Sequence, residues 1–464
     1  MRYVSTRGRA PELGFADVLL AGLARDGGLY VPERWPTLPD LGGVTAYEQV
    51  AAAVVSTFVG DDPAAILTPD EVGRLCTEAY GTFRHPAVAP LVQIDDDHFV
   101  LELFHGPTLA FKDIALQLVG RMFDHVLAAR GDRITIVGAT SGDTGSAAID
   151  GVKGCDHVDI VILYPAGRTS EVQRRQMTTV DSPNVHTVAV EGTFDDCQDL
   201  VKAMFADGAF RDDLHLSAVN SINWARVMAQ VVYYVTASRA LADDVTFCVP
   251  TGNFGNVLSG WIARRTGAPI RDFIVASNAN DILTRFIGQG DMSTRDVVPT
   301  ISPSMDIQVS SNFERLLFEM NDRDGTATAD QLSAFRRSGR LDVDPTRRAS
   351  YIDGTFRAAA CDDDSTLAEI GRVYADTGML IDPHTATGTA AVRRFAGDDR
   401  RATVTLATAH PAKFPDAVER ATGIRPELPA FLADLLERPE RTRTLPADLA
   451  TIQSFVRSVA RVTT

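Results

Sequence analysis

The sequence predicts an α/β protein built on parallel sheets, and three observations predict it. From about residue 98 short β-rich runs alternate with helical segments, the rhythm of strands joined by helical crossovers. Polar or glycine turns follow several of these strands and open the next helix, where parallel sheets place their ligands. The stretch 1–95 keeps a different, mainly helical pattern, and 464 residues leave room for two to three domains.

Taken in order, Phe15, Val18, Leu19, Leu20 and Leu23 fall on one helical stripe, stopped by Asp26-Gly27-Gly28. Pro32, Pro36 and Pro39 mark an irregular connection, and 47–59 resumes a helix. Next come the strand 134–137 and turn 138–145, strand 158–163 and helix 171–177, and strand 185–190 and helix 194–205. Strand 245–249 leads through Gly252 to Asn256 into a helix, and 270–276 and 404–407 repeat the strand pattern. The polar segment 321–355 reads as an insertion or surface subdomain, and the tail carries amphipathic helical patterns at 431–436 and 449–462.

Composition narrows the class. With 45 basic and 61 acidic residues the net charge is −16, which argues against nucleic acid or an anionic membrane surface as partner. No run approaches the roughly 18 apolar residues of a membrane helix, and the opening residues lack a signal-peptide core. The five cysteines are scattered without metal spacing. Together these predict a cytoplasmic protein with no structural metal. Only Lys112, Lys153, Lys202 and Lys413 are lysines; the other 41 basic residues are arginines. Each lysine therefore marks a place where Arg was not used.

Lys112 sits among Leu109, Ala110, Phe111, Ile114 and Ala115, just before a helix. An apolar surround disfavours the ammonium form, and a neutral amine can form a Schiff base with an aldehyde such as pyridoxal phosphate. The plainer alternative is a lysine snorkelling from a helix start. Thr251-Gly252-Asn253-Phe254-Gly255-Asn256 follows a strand and opens a helix, so its N–H groups suit a phosphate, or it is an ordinary βα turn. Ser141, Asp143 and Thr144 lie at another strand–helix turn; they suit a carboxylate or phosphate, or Ser141 or Asp143 simply caps the helix. Ser221 can cap a helix whose first turn presents Asn223 and Arg226, with Arg226 suited to a phosphate or else a surface residue. Thr408 ends a strand and offers a neutral hydroxyl to a ligand nitrogen. His384 reads as a satisfied histidine, and Asp95-Asp96-Asp97 as a solvated turn.

Taken in order, these motifs, with Arg2 to Gly8, Asp26 to Pro32, Phe194 to Gln198, Asp382 to Ala386 and Ala409 to Phe414, resemble the threonine synthase family. The resemblance covers nearly the whole chain and is to the longer, bacterial and fungal form. It implies pyridoxal 5′-phosphate fold type II: two open parallel-sheet α/β domains plus an extended N-terminal domain. It assigns 1–95 to that extension, 96–114 and 241–464 to a large cofactor-binding domain, and 115–240 to a small domain. It implies that Lys112 holds the cofactor, that Gly252, Asn253, Phe254, Gly255 and Asn256 cradle its phosphate, and that Thr408 faces the ring nitrogen. Ser141, Asp143 and Thr144 would lie by the substrate carboxylate and cofactor 3′-oxygen, and Ser221, Asn223 and Arg226 would take the substrate phosphate. Asp143 there must share a proton or be offset by a cation, and the sequence leaves that choice open, as it leaves the role of Lys413. The implied reaction converts O-phospho-L-homoserine and water to L-threonine and phosphate in a monomer or homodimer. A related phospholyase or hydroxyamino-acid dehydratase, or a binding protein that has lost its cofactor, are the alternatives.

Overall fold

The structure is a computed structural model that describes residues 1–60, 66–218, 220–241, 244–395 and 401–462. Two open sheets dominate it. The larger has six strands in the order Phe356–Ala360, Ile270–Ser277, Val245–Pro250, Thr403–Ala407, His98–Glu102 and Leu91–Gln93. All neighbours are parallel except the last pair, which is antiparallel. The smaller has five strands, all parallel, in the order Arg443–Pro446, Val185–Glu191, Val158–Pro165, Ile134–Ala139 and Leu216–Ser217. Central strands such as Val158–Pro165 are buried along their whole length, as expected where helices cover both faces. The expected α/β class with parallel sheets therefore stands.

Several boundaries differ from the sequence reading. The stretch 1–95 holds helices Phe15–Ala21, Tyr47–Val59 and Pro69–Tyr80, but it also holds an antiparallel sheet of Leu13–Gly14, Arg2–Ser5 and Tyr30–Pro32. Its strands are too short to show a period of two. Leu23 lies past the helix end and is 45% exposed, so the apolar stripe ends at Leu20. Leu91–Gln93 already belongs to the large sheet, a few residues before position 95. Asp95 to Asp97 form the turn that joins it to His98–Glu102.

The tail corrects the division 241–464. Arg443 pairs with Val188, and Ile452 and Val456 of helix Leu449–Val459 pack with Cys197, Leu200 and Met204. Residues 443–459 thus complete the small sheet, a long-range return that local pattern cannot reveal. The tail's first helical pattern resolves to a single 3-10 turn, Ala430–Leu432. Segment 321–355 is ordered: helices Gly325–Ser338 and Pro345–Ile352 flank strand Arg340–Leu341, which pairs with Met292–Ser293.

One buried arginine locks the N-terminal part to the body. Arg315 donates to the Tyr30 carbonyl at 3.0 Å, to the Ile222 carbonyl at 2.6 Å, and to Asn312. Burial lowers its pKa to about 9, so these partners must carry the cost of its charge. The five cysteines are free. Among the described residues no helix is long and apolar enough to cross a membrane, and no acidic, His or Cys cluster could hold a metal.

Candidate active site

The candidate residues gather where strands end. Thr140 to Thr144 follow Ile134–Ala139, Thr251 to Asn256 follow Val245–Pro250, and Thr408 follows Thr403–Ala407. These are carboxyl ends of parallel strands, where loops converge and helix N-termini point at the ligand.

Lys112 is the first residue of helix Lys112–Arg130 and is buried. The loop before it is clamped. Asp113 accepts from the Thr108 N–H at 2.8 Å and from the Thr108 hydroxyl at 2.6 Å. The Phe111 N–H donates to the Thr408 carbonyl at 2.9 Å, and Leu109 is held at φ +62°. Burial pushes the Lys112 ammonium below the usual lysine range; Asp143 raises it, and Lys413 and Arg226 lower it further. The neutral amine is the form a carbonyl cofactor needs, and this lowering makes it easier to reach.

The Lys112 amine lies 3.3 Å from Asp143 Oδ2. Asp143 Oδ1 accepts from Lys413 at 2.8 Å and from Gln173 Nε2 at 2.8 Å, while the Ser304 hydroxyl approaches Oδ2 at 3.4 Å. Burial would raise the Asp143 pKa, but Lys413 and then Lys112 hold it well below the carboxylate range. Gln173 and Ser304 escaped the sequence reading. Gln173 follows the helix cap Ser170, whose side chain accepts from the Gln173 N–H, so its sequence signal is that of helix capping. The helix after strand Ile134–Ala139 starts from Gly142 with no side-chain cap of its own; the Thr140 hydroxyl, two residues earlier, accepts from Gly142 and Gly145 N–H at 3.0 and 2.9 Å. Capping by Ser141 or Asp143 is therefore not what occurs. Ser141 is exposed and Thr144 half-buried.

The 252–256 turn has the form of an anion cradle. Phe254 takes φ +62° and anchors its ring against Phe313 and Phe356, turning the chain into helix Gly255–Thr266. The first turn of that helix leaves N–H groups without helical carbonyls. Asn312 holds the Asn253 carbonyl by its N–H at 3.1 Å and by its side chain at 3.2 Å. A Cβ on Gly252 would lie 2.8 Å from the Ser304 carbonyl oxygen. Asn256 Oδ1 accepts from Tyr233 at 2.5 Å and Tyr234 at 2.9 Å, while its buried Nδ2 has no protein partner.

Helix Trp224–Leu241 carries Arg226, which is 3% exposed. Its Nε and Nη1 have no hydrogen-bond partner, and burial lowers its pKa to about 10. A buried, unpaired guanidinium is costly unless an anion completes it. Asn223, not Ser221, caps this helix: its Oδ1 accepts from Ala225 N–H at 2.9 Å and its Nδ2 donates to the Leu19 carbonyl at 3.0 Å. Both ends of Asn223 thus serve the fold. Ser221 lies in the preceding turn, its carbonyl accepting from Asn312 at 3.0 Å. His384 is satisfied, with Nδ1 bonded to Asp382 at 2.7 Å and Nε2 accepting from the Ser304 N–H at 3.2 Å. Lys153 and Lys202 are exposed partners of Asp150 and Asp199.

The orphaned donors of Arg226 and Asn256, the glycine-lined turn and the buried amine fit a phosphorylated aldehyde cofactor beside a second anion. Comparisons with known proteins agree. Residues 83–341 match the model of pyridoxal-phosphate dependent enzymes, 2–80 that of the threonine synthase N terminus, and 385–456 that of the threonine synthase C-terminal region. The threonine synthase of Pseudomonas aeruginosa is 53% identical over 98% of each chain. The crystal structure of PLP-bound threonine synthase from Brucella melitensis is 52% identical, with TM-score 0.95 over 100% of both chains. The yeast threonine synthase structure is 37% identical, with TM-score 0.93 over 99% of this chain and 98% of that one. The chain belongs to the threonine synthase family of pyridoxal-phosphate-dependent enzymes.

Proposed function

We propose that this chain converts O-phospho-L-homoserine and water to L-threonine and phosphate at the site around Lys112. One observation carries the choice of substrate class: Arg226 is buried with two donor nitrogens unpaired, on the same site as the amine that its charge perturbs. A dehydratase acting on a free hydroxyl would leave that charge uncompensated.

Pyridoxal phosphate, when bound, supplies an electron-withdrawing ring that stabilises negative charge on the substrate carbon next to nitrogen. The chain's own residues bind, orient and move protons. The helix Gly255–Thr266 N-terminus, with Gly252, Asn253, Phe254 and Asn256 around it, holds the cofactor phosphate. Thr408 offers a neutral hydroxyl to the ring nitrogen, a weaker partner than a carboxylate. Arg226, with the Ser221 turn beside it, holds the substrate phosphate and its developing charge as it leaves. Asn223 positions Arg226 through the helix start, its side chain accepting from the Ala225 N–H and its carbonyl from the Arg226 N–H. Ser141 and Thr144 sit at the strand end where the substrate carboxylate would meet helix N–H groups. Lys112, once free, is the base that takes a proton from the substrate and the acid that returns one.

The test is incubation of the purified protein with the cofactor and O-phospho-L-homoserine while threonine and phosphate are assayed together. Equal amounts of the two products are expected. A keto acid with ammonia would transfer the chain to the lyase or dehydratase reading.

A further inference from the structure

Lys413 lies in the 3-10 turn Pro411–Lys413 and is 0% exposed. Its ammonium donates to Asp143 Oδ1 at 2.8 Å and to the Thr108 carbonyl at 2.8 Å. Asp143 Oδ2 faces the Lys112 amine at 3.3 Å. The three side chains form a buried row, cation–carboxylate–amine, reaching from the turn after Thr408 to the base of helix Lys112–Arg130.

We propose that Lys413 is a positioning residue: its fixed charge neutralises Asp143, so that the carboxylate orients Lys112 without trapping it as an ammonium ion. The inference rests on Lys112 being the cofactor lysine.

Two arrangements of the row can be compared. With Lys413 charged, Asp143 already has a counter-ion at closer range than Lys112, and Gln173 fills the rest of Oδ1. Lys112 then feels an almost balanced pair, together with burial and the Arg226 charge, and these favour its neutral form. Without Lys413 the buried carboxylate keeps Gln173 and Ser304 as hydrogen-bond partners but has Lys112 as its counter-charge, and the lowest-cost arrangement is an ion pair between them. That pairing would sequester the nucleophile. The other charged groups around the row are few. Arg226 acts on Lys112, and Asp113 and His410 feel the Lys413 charge.

Residue choice supports the role. The chain uses Arg for 41 of its 45 basic positions, yet keeps Lys here. A compact ammonium can serve one carboxylate oxygen and one carbonyl in a closed space, where a planar guanidinium needs a wider fork. The arrangement also leaves the Arg226 charge uncancelled and available for an anion.

The test uses cofactor-free protein and pyridoxal phosphate alone, without substrate, and follows the visible absorbance of the covalent adduct against pH. For Lys413→Met the midpoint of adduct formation should rise by about one pH unit or more, about tenfold slower formation below the midpoint. Lys413→Gln, which keeps a hydrogen-bond donor but not the charge, should shift it in the same direction. Asp143→Asn should lower it. The double variant Lys413→Met/Asp143→Asn should return close to the wild-type midpoint, because both charges are gone. An unshifted or lowered midpoint in both Lys413 variants overturns the proposal, as does a double variant that keeps the Lys413→Met shift. If wild-type protein forms no adduct at all, the cofactor-lysine reading itself fails, which is a separate result.

Discussion

Replacing Arg226 by Met separates substrate binding from folding, because the two should move in opposite directions. The guanidinium is 3% exposed, and Nε and Nη1 have no partner. Burial brings its pKa from 12.5 to about 10. At about 1.4 kcal/mol per unit, burial of the charged form without an anion costs about 3 kcal/mol. Methionine fills similar apolar volume without the charge, so the ligand-free protein should gain about 1–3 kcal/mol of stability. The same change removes charge-assisted contacts to the substrate phosphate. That loss should lower kcat/KM by about 2–4 kcal/mol in transition-state binding, roughly 30- to 1000-fold. The assay is urea unfolding of the cofactor-free protein with and without inorganic phosphate, run beside steady-state kinetics. Wild-type protein should be stabilised by phosphate more than the variant. A variant less stable than wild type without ligand, with unchanged kcat/KM for the phosphorylated substrate, would refute the reasoning.

Three further outcomes follow from the geometry. Gly252→Ala places a Cβ 2.8 Å from the Ser304 carbonyl oxygen, so the turn that carries Ser304 must move; cofactor affinity by absorbance titration should fall about tenfold, at about 1–3 kcal/mol of overpacking. Thr140→Val removes the acceptor for the Gly142 and Gly145 N–H groups and should cost about 1–2 kcal/mol in urea unfolding. Burial raises the Asp113 pKa to about 7 despite its two bonds from Thr108. A raised folded value means stability present at low pH and lost as pH rises through about 7, so from pH 6 to pH 8 wild type should lose about 1 kcal/mol relative to Asp113→Asn.

Local signals carried far in this chain because its ligand-binding turns are local. Glycines and short polar residues after strands mark 140–145 and 251–256 whatever the rest of the fold does, and the apolar neighbours of Lys112 are sequence neighbours. Helices such as Tyr47–Val59 were legible for the same reason. What stayed hidden depends on residues distant in sequence. Asp143 meets Lys413 across 270 positions, Arg443 pairs with Val188, and Asn312 braces Asn253. The caps show a subtler failure. Thr140 and Asn223 take the helix-start N–H groups that Ser141 and Ser221 equally suited, because backbone angles decide between neighbouring hydroxyl and amide side chains. The proton-or-cation choice at Asp143 needed only the position of one buried amine.

The central claim, that Lys112 is the residue that carries the cofactor, is tested most directly by borohydride reduction of the protein with pyridoxal phosphate, followed by peptide mapping. One equivalent of cofactor on Lys112, lost in Lys112→Ala, is the result predicted. Label on Lys413 or on the exposed Lys153 or Lys202 in place of Lys112, or no label at all, would contradict it.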